Sequence, residues 1–504
     1  MVDLLPSIVA DDAMHFDFRN TYVHLPERFF VRLDPTPVRF PELIRLNNRL
    51  AEHLGIDPNL LQTVQGVQVL SGNTIPMGAE PIAMAYAGHQ FGSWVPQLGD
   101  GRAILLGEVI GEDGIRRDIQ LKGAGRTPFS RMGDGRAVLG PVLREYIVSE
   151  AMHSLRVPTT RALAAVATGE EVMRERPFPG AIFARVAQSH VRVGTFQFFA
   201  ARKDVEAIRL LADYVIKRHF PDVESEPRPY LSLLREVVNR QAELVACWQL
   251  IGFIHGVMNT DNTSIVGETI DYGPCAFMDL YHPETVYSSI DRNGRYAYGN
   301  QPGIAYWNLG CFAQTLLPLF NEDVGTAVSQ ADEIIGTYPN LFEKAHLSGL
   351  RSKIGLLEEN EEDQELAQDL LHGMAKNEAD YTLTFRRLCD LAGFDRKTDE
   401  PVRSLFKNPT VFDDWAFRWR ERLKKEKIGD VQRQELMREV NPAYIPRNHL
   451  IEEVINAAVD DKNFSPFESL NRVLSLPYQD QTDSAKFAAP PRPEQVVHAT
   501  YCGT

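Results

Sequence analysis

Cysteine is scarce in this 504-residue chain and poorly spaced for structural work. The five cysteines, Cys247, Cys275, Cys311, Cys389 and Cys502, include no Cys-x-x-Cys pair, and their number is odd. A disulfide framework and a structural zinc site are therefore not expected. Long apolar runs are missing too. No uninterrupted stretch approaches the roughly 18–20 residues that cross a bilayer, so no membrane partner is expected. The opening Met1-Val-Asp-Leu-Leu-Pro-Ser7 lacks the basic segment and apolar core of a secretory leader, and no transit-peptide pattern follows, so a cytoplasmic location is expected. Positive charge is in deficit. Lys and Arg total 53 against 68 Asp and Glu, a net charge of −15. That balance argues against nucleic acid as a partner, while leaving room for a local basic pocket. No long-period repeat is present.

What is there reads as an ordinary folded protein: 44% hydrophobic and 24% charged, with length enough for roughly three domains. Residues 1–75 form an N-terminal extension. It holds extended pieces within Tyr22–Arg32 and a helix from Pro41 to Leu54, where Leu43, Leu46, Leu50 and Leu54 recur at helical steps before Gly55. Residues 76–202 are rich in glycine and strands. Arg102–Val109 and Arg117–Leu121 flank a Gly111–Gly114 turn, a glycine-rich loop runs from Gly123 to Arg136, and a helix is predicted over Leu139–Leu155. Further strands are predicted over 159–169 and 181–194. From residue 203 to 400 the pattern is helical, and 401–504 continues as a helical extension ending in a Pro-rich tail. The fold class predicted is α+β, with a β-rich lobe preceding a helical one.

The chemistry concentrates in residues 255–273. His255-Gly-Val-Met-Asn-Thr-Asp-Asn262 is followed by a β-branched run and then Asp271-Tyr-Gly273. Protein kinases hold their metal in such a layout, with a His-Arg-Asp catalytic loop ending in Asn and an Asp-Phe-Gly turn beyond a short hairpin. The step of seven from His255 to Asn262 matches. The usual base does not, because Val257 stands in its place and a different acid, Asp261, precedes Asn262. Asn262 and Asp271 are suitable oxygen ligands for Mg²⁺, which keeps few protein ligands and takes the rest from phosphate. Asn and Asp also populate ordinary turns, and it is the spacing from His255 together with the Asp271 turn that favours the metal reading. Asp261 fits a proton acceptor, a support for Asn262 or a further metal ligand. His255 reads as a structural anchor.

Upstream, Gly99-Asp-Gly101-Arg102 leads into a strand, and Gly133-Asp-Gly135-Arg136 repeats it. Such glycines let backbone N–H groups close on phosphate, although the same four residues also make a common tight turn. Lys122 ends a strand, where a kinase lysine contacts phosphates and pairs with a Glu on the following helix; Glu145 is the matching acid here. Alone it would be a solvated lysine, and its setting favours the functional reading. Arg102, Arg126, Arg131, Arg136, Arg185 and Arg192 crowd the same region of an acidic chain, as a phosphate-rich ligand would require.

With these blocks in view, the chain resembles the selenoprotein O family of kinase-like protein adenylyltransferases over nearly its whole length. The blocks that carry the resemblance are Gln97-Leu-Gly-Asp-Gly-Arg-Ala103, Gln120-Leu-Lys-Gly-Ala-Gly-Arg-Thr-Pro-Phe-Ser-Arg131, Ser130-Arg-Met-Gly-Asp-Gly-Arg-Ala-Val-Leu139, His255–Asn262 and Asp271-Tyr-Gly-Pro-Cys-Ala-Phe-Met-Asp279. The resemblance implies a kinase-like bilobal fold that binds ATP inverted and transfers AMP to Ser, Thr or Tyr of protein substrates. It implies nucleotide contacts at Gly99, Gly101, Arg102, Lys122, Asp134, Gly135, Arg185 and Arg192, and a Lys122–Glu145 pair. Mg²⁺ or Mn²⁺ would be held by Asn262 and Asp271, with Asp261 as proton acceptor. Cys502 stands where eukaryotic members carry selenocysteine, and the resemblance suggests a regulatory Cys275–Cys502 disulfide, with redox proteins as partners. Three other readings stay open: UMP transfer with Mn²⁺, a conventional kinase, and a non-catalytic ATP-binding scaffold.

Overall fold

The structure, a computed structural model, describes residues 16–393 and 395–501; Cys502 lies outside the described residues. The chain divides into two compact units, neither continuous in sequence. The first comprises the chain up to Ala85, Gly99–Val142 and Ala162–Gln188. The second comprises Tyr86–Leu98, Leu143–Arg161 and Ser189 onward.

The first unit is built on an eight-stranded sheet. Its strands run in the order Phe30–Arg32, Ile82–Met84, Ala103–Ile110, Arg116–Lys122, Pro177–Ala187, Arg161–Met173 and Glu42–Leu46, and the short Ala137–Val138 strand also pairs with Pro177–Ala187. Arg116–Lys122 is central and antiparallel to both neighbours, which sets Gln120 opposite Arg185 on one side and Leu105 on the other. Alternation along this strand sorts its side chains: Ile119 and Leu121 join an apolar core with Ile104, Leu106, Ile182 and Val186, while Asp118 and Gln120, also buried, point to the opposite face.

The helix expected from Pro41 to Leu54 forms only in its second half. Glu42–Leu46 is a strand paired with Arg161–Met173, placing Leu43 opposite Val166 and Leu46 opposite Ala164. A short helix, Asn48–His53, follows. Asn47 starts it by accepting the Leu50 N–H on its side chain at 3.2 Å while donating to the Ala162 carbonyl at 3.1 Å. A partner strand more than a hundred residues away decides the conformation of the first leucines. The strand expected to reach 194 ends at Ala187, and a helix begins at Val193, where Arg192 donates its N–H to the Thr195 hydroxyl at 3.1 Å.

The second unit is mainly helical. The long Pro229–Leu250 helix feeds a two-residue strand, Phe253–Ile254, that pairs with Ala276–Phe277. The segment between these strands is the His255–Asp271 region. The Gln301–Phe320 helix lies against it, and a separate core with Trp415 stacked on Trp419 at 5.7 Å underlies the C-terminal helices. Among the described residues no helix is long and apolar enough to cross a membrane.

Candidate active site

The His255–Asn262 loop is fixed at almost every residue, all within the second unit. His255 is buried, which pushes its ring below the usual imidazole range and keeps it neutral. Its Nε2 lies 2.9 Å from the Ile270 carbonyl and its Nδ1 accepts the Val257 N–H at 3.4 Å, so the proton belongs on Nε2. The ring thereby ties the loop to the residue before Asp271, an anchoring role that agrees with the sequence reading. Gln301 accepts the His255 N–H, and Asn308 donates to the Met258 carbonyl and the Thr263 hydroxyl. Asn259 accepts from the Tyr296 hydroxyl at 2.6 Å and from the Phe91 N–H at 3.0 Å. Thr260 accepts the His89 N–H at 2.7 Å and donates to Gln197 at 2.6 Å.

Asp261 sits at the centre of this frame. One carboxylate oxygen, Oδ2, accepts from Gln90 Nε2 at 3.2 Å; the other, Oδ1, is enclosed with no hydrogen-bond partner. Burial is the main reason that its carboxyl is pushed up to about 6; the Gln90 bond and the Arg192 charge oppose the rise, and Asp271 adds to it. Close packing maintains the arrangement. A Cβ on Gly88 would lie 2.6 Å from Asp261 Oδ1, so the Gly88–Gln90 strand can pass there only with glycine at that point. Arg192 joins the acids. Its Nη1 donates to the Asp261 carbonyl at 2.7 Å and to Asp271 Oδ2 at 2.8 Å, and its guanidinium lies over the Tyr86 ring at 4.6 Å. Asp271 itself holds a left-handed backbone, φ +65°, an unusual state for a residue with a side chain.

Asn262 is turned by the position at which a kinase would carry its base. Its Nδ2 donates to the Val257 carbonyl at 2.9 Å, which leaves the amide oxygen as its remaining side-chain group. An oriented amide oxygen and one carboxylate fit a divalent cation that takes its other ligands from phosphate. Among the described residues no three His, Cys, Asp or Glu side chains are gathered to hold a metal by themselves.

The phosphate-binding candidates Gly99, Gly101, Arg102, Lys122, Asp134, Gly135 and Arg185 all belong to the first unit, whereas Glu145 and Arg192 belong to the second. The first Gly-Asp-Gly-Arg turn is packed against the Gly123–Arg136 loop. Thr127 donates to the Asp100 carbonyl at 2.7 Å, Ser130 donates to the Gly101 carbonyl, and a Cβ on Gly99 would strike the Phe129 ring at 2.3 Å. Gly135 (φ +72°) lies against the Gly125 carbonyl, 2.1 Å from where a Cβ would stand. Beneath them a buried relay runs from Arg185 through Gln120 to Asp100, with bonds of 2.6 and 3.2 Å. Asp134 is ion-paired with Arg174 at 2.8 Å, a partner not evident from the local motif.

Three parts of the site escape a motif search. Gln90, in Gly88-His-Gln-Phe-Gly92, touches Asp261 only through the fold. Tyr296 steadies Asn259 from a loop with no recognisable signature. Thr500 donates its hydroxyl to the Pro274 carbonyl at 2.5 Å and pairs with Tyr287 and Ser289 through its backbone, so the tail is strapped beside buried Cys275.

The chain matches known proteins over nearly its whole length. The family model for protein adenylyltransferase SelO matches residues 12–475. A protein nucleotidyltransferase YdiU from Bradyrhizobium diazoefficiens is 62% identical over 491 residues, covering 97% of this chain and 100% of the relative. A protein of the same name from Rhodopseudomonas palustris is 59% identical over the same length and with the same coverage. A kinase-type loop without the kinase base, together with these matches, places the chain in the SelO family of protein adenylyltransferases, enzymes of the nucleotidyltransferase class.

Proposed function

We propose that this enzyme transfers AMP from ATP to Ser, Thr or Tyr hydroxyls of proteins, with ATP inverted so that its α-phosphate meets the acceptor. The observation that carries this reading is Asp261. It is an enclosed carboxylate with one oxygen held by Gln90 and the other enclosed without a hydrogen-bond partner, set beside Asn262 and linked through Arg192 to Asp271. In the reaction, the acceptor oxygen forms a bond to the α-phosphorus, the bond to the β-phosphate breaks, and pyrophosphate leaves. The acceptor proton passes to Asp261, a carboxylate whose raised pKa suits a base working near neutral pH. Asn262 and Asp271 hold Mg²⁺ or Mn²⁺, which neutralises phosphate charge when bound. Gly99, Gly101, Arg102, Lys122, Asp134, Gly135, Arg185 and Arg192 serve the nucleotide.

Redox control is part of the proposal. A Cys275–Cys502 disulfide would lock the tail beside the metal turn, with redox proteins setting its state. The Thr500–Pro274 bond supports it by holding the tail next to Cys275.

Protein incubated with α-labelled or γ-labelled ATP plus Mg²⁺ or Mn²⁺ tests the reading. Label from the α position alone is the expected result. Label from γ alone means a conventional kinase, and no label from either means a scaffold. A parallel arm with α-labelled UTP and Mn²⁺ decides whether the transferred group is AMP or UMP.

A further inference from the structure

The hairpin that reaches Asp261 carries an exposed aromatic face on its other side. Gly88–Gln90 pairs with Ser93–Val95, setting His89 opposite Trp94. The His89 ring lies between two tryptophans, 4.9 Å from Trp94 and 5.2 Å from Trp307. These remain 39% and 37% exposed, a large apolar area to leave in water unless something covers it. Arg295 completes the face. Its guanidinium lies 5.0 Å from the Trp307 ring centroid and 5.8 Å from that of Tyr296, and it borders the hairpin tip at Gly92.

Arg295 has no carboxylate partner among the described residues. Asp291, four positions before it, spends its carboxylate on the backbone N–H groups of Arg295 and Tyr296, at 2.9 and 2.7 Å. In a chain of net charge −15, an arginine set against aromatic rings and with no carboxylate partner among the described residues is a cation that an acidic group could use. The Arg295 Nε is enclosed without a hydrogen-bond partner, so a carboxylate would be received at the terminal Nη groups.

We infer that Trp94, Trp307 and Arg295 form the acceptor-protein subsite, and that Arg295 binds an Asp or Glu side chain flanking the hydroxyl to be modified. The inference rests on the transferase reading above. Gln90 and Trp94 belong to one short hairpin, so a peptide seated on the tryptophans is carried by the element that touches Asp261.

The test uses the full chain and synthetic peptides with one Ser, Thr or Tyr acceptor flanked by Glu, by Gln or by Lys. Peptide binding is followed by tryptophan fluorescence, and transfer by label from α-labelled ATP, with casein as a general acceptor. The Glu peptides should bind about tenfold more tightly than the Gln peptides, the change of one charge-assisted contact. Arg295→Gln should erase that ratio through the peptide KM with the KM for ATP unchanged, and Arg295→Glu should turn the preference toward Lys. Trp94→Ala, at the exposed tip, should weaken all peptides alike. Equal binding of Glu and Gln peptides by the unaltered protein, or an Arg295→Gln effect confined to ATP, overturns the inference. Absence of α label in peptides and casein overturns the transferase reading instead, and the fluorescence titration still decides the subsite.

Discussion

Arg192 donates to the Asp271 carboxylate at 2.8 Å while the same nitrogen donates to the Asp261 carbonyl at 2.7 Å. Arg192→Ala removes the Arg192 charge from Asp271 in a mostly enclosed setting. The loss should cost about 3 kcal/mol, the low end for breaking a buried pair, because Asp271 is still 21% exposed. Thermal unfolding should show it as a lowered Tm. Arg192→Lys should recover part of the stability but little turnover, since one ammonium lacks the planar reach of a guanidinium. Full activity in Arg192→Lys would show that the bridge has no part in catalysis.

Asp261 and Asp271 should separate by kinetics. Asp261→Asn preserves shape and removes the acceptor, so turnover should fall about 10²–10⁴-fold with the KM for ATP unchanged. Asp271→Ala should abolish transfer at any Mg²⁺ or Mn²⁺ concentration. If Asp261→Asn instead raises the metal requirement and spares turnover at saturation, Asp261 is a support for Asn262.

Gly88 and Gln90 test the hairpin's hold on Asp261. Gly88→Ala puts a methyl 2.6 Å from Asp261 Oδ1 and should lower turnover sharply, with little change in Tm, since the strand is short. Gln90→Ala removes a single bond and should lower turnover by about tenfold, the worth of one such contact. Equal kinetics for both variants and the parent would discard the positioning role.

The loop and turn were legible as a pattern because their spacing is local: His255 to Asn262, then Asp271-Tyr-Gly273. The place of Lys122 was legible too, at the end of a strand that alternates cleanly. The contacts that make Asp261 usable were not. Gln90 is separated from it by 171 positions, Arg192 from Asp271 by 79, and Thr500 from Pro274 by 226. Nothing in a local window encodes such pairs. The misread helix at Pro41–Leu54 has the same origin. Leucines at 43, 46, 50 and 54 satisfy a helical period, yet the first two are claimed by the Arg161–Met173 strand.

Lys353 offers a stability test away from the site. It is buried over the Phe385 and Tyr381 rings, and burial pushes its ammonium down to about 7; the nearby Cys389 thiol opposes this weakly. A folded pKa below the unfolded value of about 10.4 means the unfolded chain binds more protons between those limits. Stability should therefore rise with pH from about 7 to 10, and the full penalty applies below 7. Lys353→Met should raise the Tm at pH 6 and flatten that slope relative to the parent; parallel pH profiles of the two proteins would contradict the assignment.

The Thr500–Pro274 bond bears on how the protein should be handled at the bench. An affinity tag or fluorescent fusion appended behind Thr504 would pull on a hydroxyl that grips the backbone beside Cys275. Purification handles belong on the other terminus, and activity lost in a C-terminally tagged preparation would report on the strap before it reported on the enzyme.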